Sequence, residues 1–127
     1  MRILIIEDEP EVASALAEVL TVEGHRPTVA RTGSEGLARI AADAPQAVFL
    51  DVKLPGGTDG VEVLRRIRQR DPGLPVVILT GHASREELAA ARKLGVTEVL
   101  KKPWALNHLD QALAGLRSRG AAPPPSG

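Results

Sequence analysis

Short apolar runs punctuate the chain, and most end abruptly in a polar residue. Ile3-Leu4-Ile5-Ile6 runs into Glu7-Asp8, and Ala47-Val48-Phe49-Leu50 into Asp51. Val76-Val77-Ile78-Leu79 stops at Thr80, and the segment from Val96 to Leu100 stops at Lys101-Lys102. Such runs, bounded by turn residues, predict strands buried on both faces, as in a parallel sheet. The strands predicted are Arg2 to Ile6, Arg26 to Ala30, Ala47 to Leu50, Pro75 to Leu79 and Val96 to Leu100.

Between them the apolar positions change to helical spacing. Val12, Leu16, Val19 and Leu20 share one face; Leu37, Ile40 and Ala41 share another; Leu64 and Ile67 a third. A fourth helix runs from Ser84 through Leu94, and Leu106, Leu109, Leu113 and Leu116 form the stripe of the last. Capping-box spacing marks the starts at Asp8 with Glu11, Thr32 with Glu35, Asp59 with Glu62 and Ser84 with Glu87. Gly24, Asp71-Pro72-Gly73 and Gly95 mark the stops. Residues 1–119 form one domain on this reading, and residues 120–127 a Pro/Ala-rich flexible tail or the start of a linker.

Strand and helix thus alternate throughout, which predicts an α/β fold with right-handed crossovers and a parallel sheet covered on both faces. A chain of 127 residues suits one core of this kind. Composition narrows the chemistry. Lys plus Arg and Asp plus Glu balance at 16 each, so there is no electrostatic footprint for nucleic acid or an anionic membrane. With no Cys, disulfides, thiolate metal sites and Cys nucleophiles are excluded. Ile3 to Ile6 is too short for a signal peptide or a membrane span, so a cytoplasmic protein is expected. One Phe, one Trp and no Tyr leave little to stack on a flavin or a base.

In a parallel sheet every strand ends at the same edge, where ligands bind. That edge gathers Glu7, Asp8, Asp51, Thr80 and Lys102. Singly, Asp8 or Asp51 reads as a cap, Thr80 as a turn hydroxyl and Lys102 as a solvated lysine. Together, three carboxylates repel one another unless something cationic sits among them. Oxygen-only ligands suit a hard cation, Mg²⁺ first. A carboxylate beside it can act as a nucleophile and form an aspartyl phosphate. Thr80 can then donate to a phosphoryl oxygen, and Lys102 can supply a compact positive charge.

Glu7-Asp8, Asp51 with Pro55, Thr80-Gly81 and Lys102-Pro103, in this order, resemble the receiver domain of two-component response regulators over roughly residues 2 to 118. The resemblance implies a flavodoxin-like three-layer sandwich of five strand–helix units, sheet order 2-1-3-4-5, in which Asp8 and Asp51 meet. It implies that Asp51 is the phospho-acceptor. Asp8 binds Mg²⁺ directly, Glu7 acts largely through water, and the backbone carbonyl of Lys53 completes the metal site. Thr80 is the switch hydroxyl, and Lys102 rather than Lys101 the site lysine. It further implies a cis Lys102–Pro103 peptide bond, a phosphoryl donor that is a sensor histidine kinase or histidine phosphotransfer protein, and an unidentified downstream effector. Two departures stand out. Val99 occupies the place, three before the lysine, where the family often carries an aromatic residue, so no aromatic switch is expected. The loop LPGGTDG after Asp51 and Val52-Lys53 is one residue longer than the commonest form, which alters a partner surface.

Other readings of the same residues are an aspartate-nucleophile phosphatase, a flavin or nucleotide carrier, and a receiver-like module that is never phosphorylated. The first needs a second Asp where Lys53 stands; the second needs a phosphate loop where Glu7-Asp8 stands. Lys53 and His82 would flank the path of water to a phosphorylated Asp51; His25, His82 and His108 all read as surface or structural positions rather than ligands.

Overall fold

The computed structural model describes residues 1–54, 59–81, 84–102, 104 and 106–121, with no account of the side chains of residues 106, 107 and 117–121. The elements run β1 (Arg2–Ile6), α1 (Pro10–Val22), β2 (Arg26–Ala30), α2 (Gly33–Asp43), β3 (Ala47–Asp51), α3 (Gly60–Arg70), β4 (Val76–Thr80), α4 (Arg85–Leu94), β5 (Glu98–Lys101) and α5 (Leu106–Ala121). All strands are parallel and their order is β2-β1-β3-β4-β5, as the resemblance implies. Pro55 and the rest of the glycine-rich loop to Thr58, His82, the Lys102–Pro103 bond and the tail from residue 122 lie outside the described residues.

The period-two geometry of a strand explains the three layers. Leu4, Ile6, Val48, Leu50, Val76 and Ile78 point to one side of the sheet. There they meet Ile40 of α2, Val63, Leu64 and Ile67 of α3 and Ala91 of α4. Ile3, Ile5, Ala47, Phe49, Val77 and Leu79 point to the other, against Leu16 and Leu20 of α1 and Leu109, Leu113 and Leu116 of α5. Strands β3 and β4 are buried at every position, which is why their sequences read as unbroken apolar runs. Burying each such Leu, Ile, Val or Phe side chain contributes roughly 1.5–3 kcal/mol.

Helix starts follow the sequence with one correction. Thr32, Asp59 and Ser84 each accept a hydrogen bond from the backbone N–H three residues on. Only at Ser84 does the glutamate also reach back, Glu87 accepting from the Ser84 N–H, to complete the capping box. Asp8 with Glu11 does not cap α1: the N-cap is Glu9, without a side-chain hydrogen bond, and Pro10 opens the helix. Proline has no N–H to satisfy and a φ already suited to the first turn, so a side-chain acceptor is dispensable there. Strand β5 begins at Glu98, later than the expected Val96: Val96 packs against the core, and the first ladder pair is Val77 with Glu98.

Candidate functional site

Register delivers the polar residues to one edge. Ile6 lies opposite Leu50, so one step further Glu7 and Asp51 come alongside. Asp51 lies opposite Leu79 and Thr80 opposite Lys101, which carries the line across β4 to β5. The Lys102 N–H donates to the Thr80 carbonyl at 2.8 Å, anchoring the end of that line.

Glu7, Asp8 and Asp51 each present a carboxylate oxygen, all within 4.8 Å of one another. Glu7 is fully buried, Asp51 is 2% exposed and Thr80 5%. Positive charge reaches the cluster from Lys102. Its ammonium pairs with Glu7 Oε1, stands 3.1 Å from Asp51 Oδ2 and 3.4 Å from Glu9 Oε1. Lys101, by contrast, is exposed. Asp51 Oδ1 accepts the Lys53 backbone N–H at 2.9 Å, so both of its oxygens are oriented.

Burial pushes the Glu7 carboxyl up to about 7; the neighbouring Lys102 and the Glu9 N–H pull it down, and Asp51 adds to the rise. Burial alone would lower the Lys102 ammonium, but Glu7 and Asp51 more than offset this and hold it above the usual lysine value. The cluster is therefore a desolvated acidic pocket with one inserted cation. Three hard oxygen donors at this separation, with no sulfur or imidazole among them, fit Mg²⁺ and similar small divalent cations.

Three residues at the site carry more than the sequence revealed. Glu9 donates its backbone N–H to Glu7 Oε2 at 3.1 Å and turns its side chain to Lys102. Gly60, the first residue of α3, lies so close under the strand end that an added Cβ would overlap the Asp51 carbonyl oxygen. Glu87, read only as a cap, also binds the Lys53 ammonium at 2.8 Å, so Lys53 reaches toward α4 rather than over Asp51. The Asp59-Gly60 pair and the third acid after strand one were the available signals for two of them. Val99 is half-buried and packs against the α2–α4 side of the core. His25 bonds the N-terminal amine through Nδ1 at 3.0 Å, and His108 is exposed. Beside Lys102, a groove of about 530 Å³ is lined by Glu9, Glu11, Val12, Ala15, Gly81 and Trp104. No helix among the described residues is long and apolar enough to cross a membrane.

The molecule is similar throughout to known proteins. A family model described as the response regulator receiver domain matches residues 3–114. The nitrogen assimilation regulatory protein NtrX of Azorhizobium caulinodans is 38% identical over 92% of this chain and 27% of its own length. The transcriptional regulatory protein TcrA of Mycobacterium tuberculosis is 38% identical over 98% of this chain and 49% of its own. The chain thus spans from about a quarter to about half the length of these relatives. A response regulator receiver domain protein from Clostridium thermocellum superposes with a TM-score of 0.87 at 30% identity, covering 94% of this chain and 96% of that one. With its fold, its acidic edge and these similarities in agreement, the chain belongs to the response regulator receiver domain family.

Proposed function

We propose that the protein is a phosphorylation-controlled signalling receiver whose acceptor is Asp51 and whose donor is the phosphohistidine of a sensor histidine kinase or a histidine phosphotransfer protein. The observation that carries this reading is the setting of Asp51. Its carboxylate sits at the end of the central strand beside Glu7 and Asp8, with one oxygen on the Lys53 N–H and the other on Lys102. A groove lies beside Lys102, whose ammonium stands 3.1 Å from the Asp51 carboxylate.

In the transfer, an Asp51 oxygen forms the new O–P bond as the P–N bond breaks. The electron pair returns to the imidazole, which is protonated from solvent. Little covalent chemistry is asked of the protein beyond positioning and charge neutralisation. Glu7, Asp8, Asp51 and the Lys53 carbonyl would hold Mg²⁺, which when bound offsets charge on the phosphoryl oxygens. Lys102 neutralises the remaining charge, and Thr80 donates its hydroxyl to a phosphoryl oxygen. The product adds about −1.5 to −2 of charge near neutral pH. Thr80 and Lys102 follow that charge and bias the face made by α4, β5 and α5, to which an effector binds. Val99 leaves this switch without an aromatic partner. This role belongs to the cytoplasm and to signalling, with no nucleic acid or membrane bound by this domain.

Treatment with acetyl phosphate, with and without Mg²⁺, followed by mass spectrometry tests the reading. One added phosphoryl group is expected, dependent on Mg²⁺ and absent from Asp51→Asn. Undiminished uptake by that variant would overturn the assignment.

A further inference from the structure

The pairing of Lys53 with Glu87 joins the acceptor to the start of α4. Lys53 is tied to Asp51 through its backbone, its N–H donating to Oδ1 at 2.9 Å. Its ammonium, at the far end of a flexible stem, lies 2.8 Å from Glu87 Oε1. That same oxygen accepts the Ser84 N–H at 3.0 Å, and the Ser84 hydroxyl oxygen accepts the Glu87 N–H at 3.1 Å. One lysine therefore bears on the whole capping box of α4.

The two ends of α4 are held differently. At its C-terminus the Arg68 guanidinium, from α3, donates to the Leu94 carbonyl at 3.1 Å and to the Gly95 carbonyl at 2.8 Å. Along its length α4 buries Ala91 and sets a partly buried Leu94 against the core near its far end, and no residue of its first turn is buried. With so little apolar anchorage, the first turn depends on its polar contacts, and segments of that kind open first. The Lys53 ammonium beside Glu87 also holds its carboxyl below the usual carboxylate range.

We propose that Lys53 is a charge-operated latch: in the resting protein it pins the first turn of α4 through Glu87, and a phosphoryl group on Asp51 draws it away and frees that turn. The inference rests on the proposed phosphorylation of Asp51. A dianionic phosphoryl presents more charge than a single carboxylate. The lysine stem is long enough to turn toward it, because the residue's own N–H already touches the acceptor carboxylate. A phosphoryl group changes the state of α4 only through such a difference in interaction between the two states. A part-exposed pair of this kind shifts an equilibrium by roughly two- to fivefold, so the latch biases α4 without locking it.

Amide hydrogen exchange at Glu87 and Leu88 reads the latch directly, in the wild type, Lys53→Gln and Glu87→Gln. Each is measured at rest and with acetyl phosphate and Mg²⁺, with phosphoryl occupancy counted by mass. Glu87→Gln keeps an acceptor for the Ser84 N–H and loses only the charge, which separates latch from cap. Wild-type exchange should rise roughly two- to fivefold on phosphorylation. Both variants should already exchange at the raised rate when resting, and should rise no further. Wild-type rates in resting Lys53→Gln, or an undiminished rise on its phosphorylation, would overturn the latch. If the wild type takes up no phosphoryl, the reading of Asp51 fails and release by charge fails with it. The pinning of α4 at rest is then decided by the three resting proteins.

Discussion

Gly60 meets Asp51 backbone to backbone: a Cβ at Gly60 would overlap the Asp51 carbonyl oxygen and stand 2.7 Å from that of Val52. The Gly60 N–H donates to the Val52 carbonyl at 2.9 Å, and Asp59 caps the helix that begins there. The start of α3 is thus pressed against the end of β3, and the Asp51 carboxylate stands on that contact.

Gly60→Ala should therefore cost more than its small volume suggests. Backbone rather than a flexible side chain must yield, and overpacking of this kind costs about 1–3 kcal/mol. Urea unfolding should show that loss, and phosphoryl uptake from acetyl phosphate should slow as Asp51 is displaced. Wild-type stability together with wild-type uptake would mean that α3 shifts freely and does not position the site.

Glu7 makes stability depend on pH in the metal-free protein. Its folded pKa, about 7, lies above the ordinary value of 4.5. Between these values the folded state keeps a proton that the unfolded state has released. The contribution of Glu7 is therefore fully present below pH 4.5 and lost as pH rises through about 7. The loss amounts to roughly 3 kcal/mol. Denaturant midpoints measured in chelator across that window should fall more steeply for the wild type than for Glu7→Gln. Parallel pH profiles would mean that Glu7 is ionised in the folded state throughout.

Arg68 ties α3, the loop after it and the end of α4 together. Its guanidinium donates to the carbonyls of Asp71, Leu74, Leu94 and Gly95. Arg68→Ala leaves those acceptors to find water, at a cost of about 1–3 kcal/mol. Amide exchange near Leu94 and Gly95 should quicken while the Asp51 edge keeps its chemistry. Loss of phosphoryl uptake beyond what the lower stability explains would contradict a purely structural role.

The parallel topology is what made most of this molecule legible in its sequence. A continuous apolar run marked β1 to the residue, the short segment Arg26 to Ala30 marked β2 likewise, and because every strand ends at one edge, Glu7, Asp8, Asp51, Thr80 and Lys102 had to gather there. Gly60 was harder to see, since its lack of a side chain matters only through a contact with β3 that local patterning does not encode. The Lys53–Glu87 pair was hidden for a similar reason: a long flexible stem can take either of two partners, and only the fold, which packs α4 against α3, offers Glu87. Asp8 with Glu11 misled because the spacing alone does not set the cap: Pro10 opens the helix with Glu9 as N-cap, and Asp8 joins the acidic cluster with Asp51 instead.

Lys102 holds the acidic edge together when no metal is there to do so. Its ammonium lies among Glu7, Asp51 and Glu9, and its side chain is only 12% exposed. Removing it leaves buried carboxylates facing one another without compensation, and breaking a buried pair in this way typically costs about 3–5 kcal/mol. Lys102→Met keeps the apolar stem and deletes only the charge. In chelator the variant should unfold at clearly lower denaturant, softened to the extent that Glu7 takes up a proton. Millimolar Mg²⁺ should then restore more stability to Lys102→Met than it adds to the wild type, because the metal enters a cluster that has lost its own cation. Adding Asp8→Ala to the variant should remove most of that rescue. If Mg²⁺ stabilises both proteins equally, the lysine and the metal do not share the carboxylates, and the cluster is not the metal site.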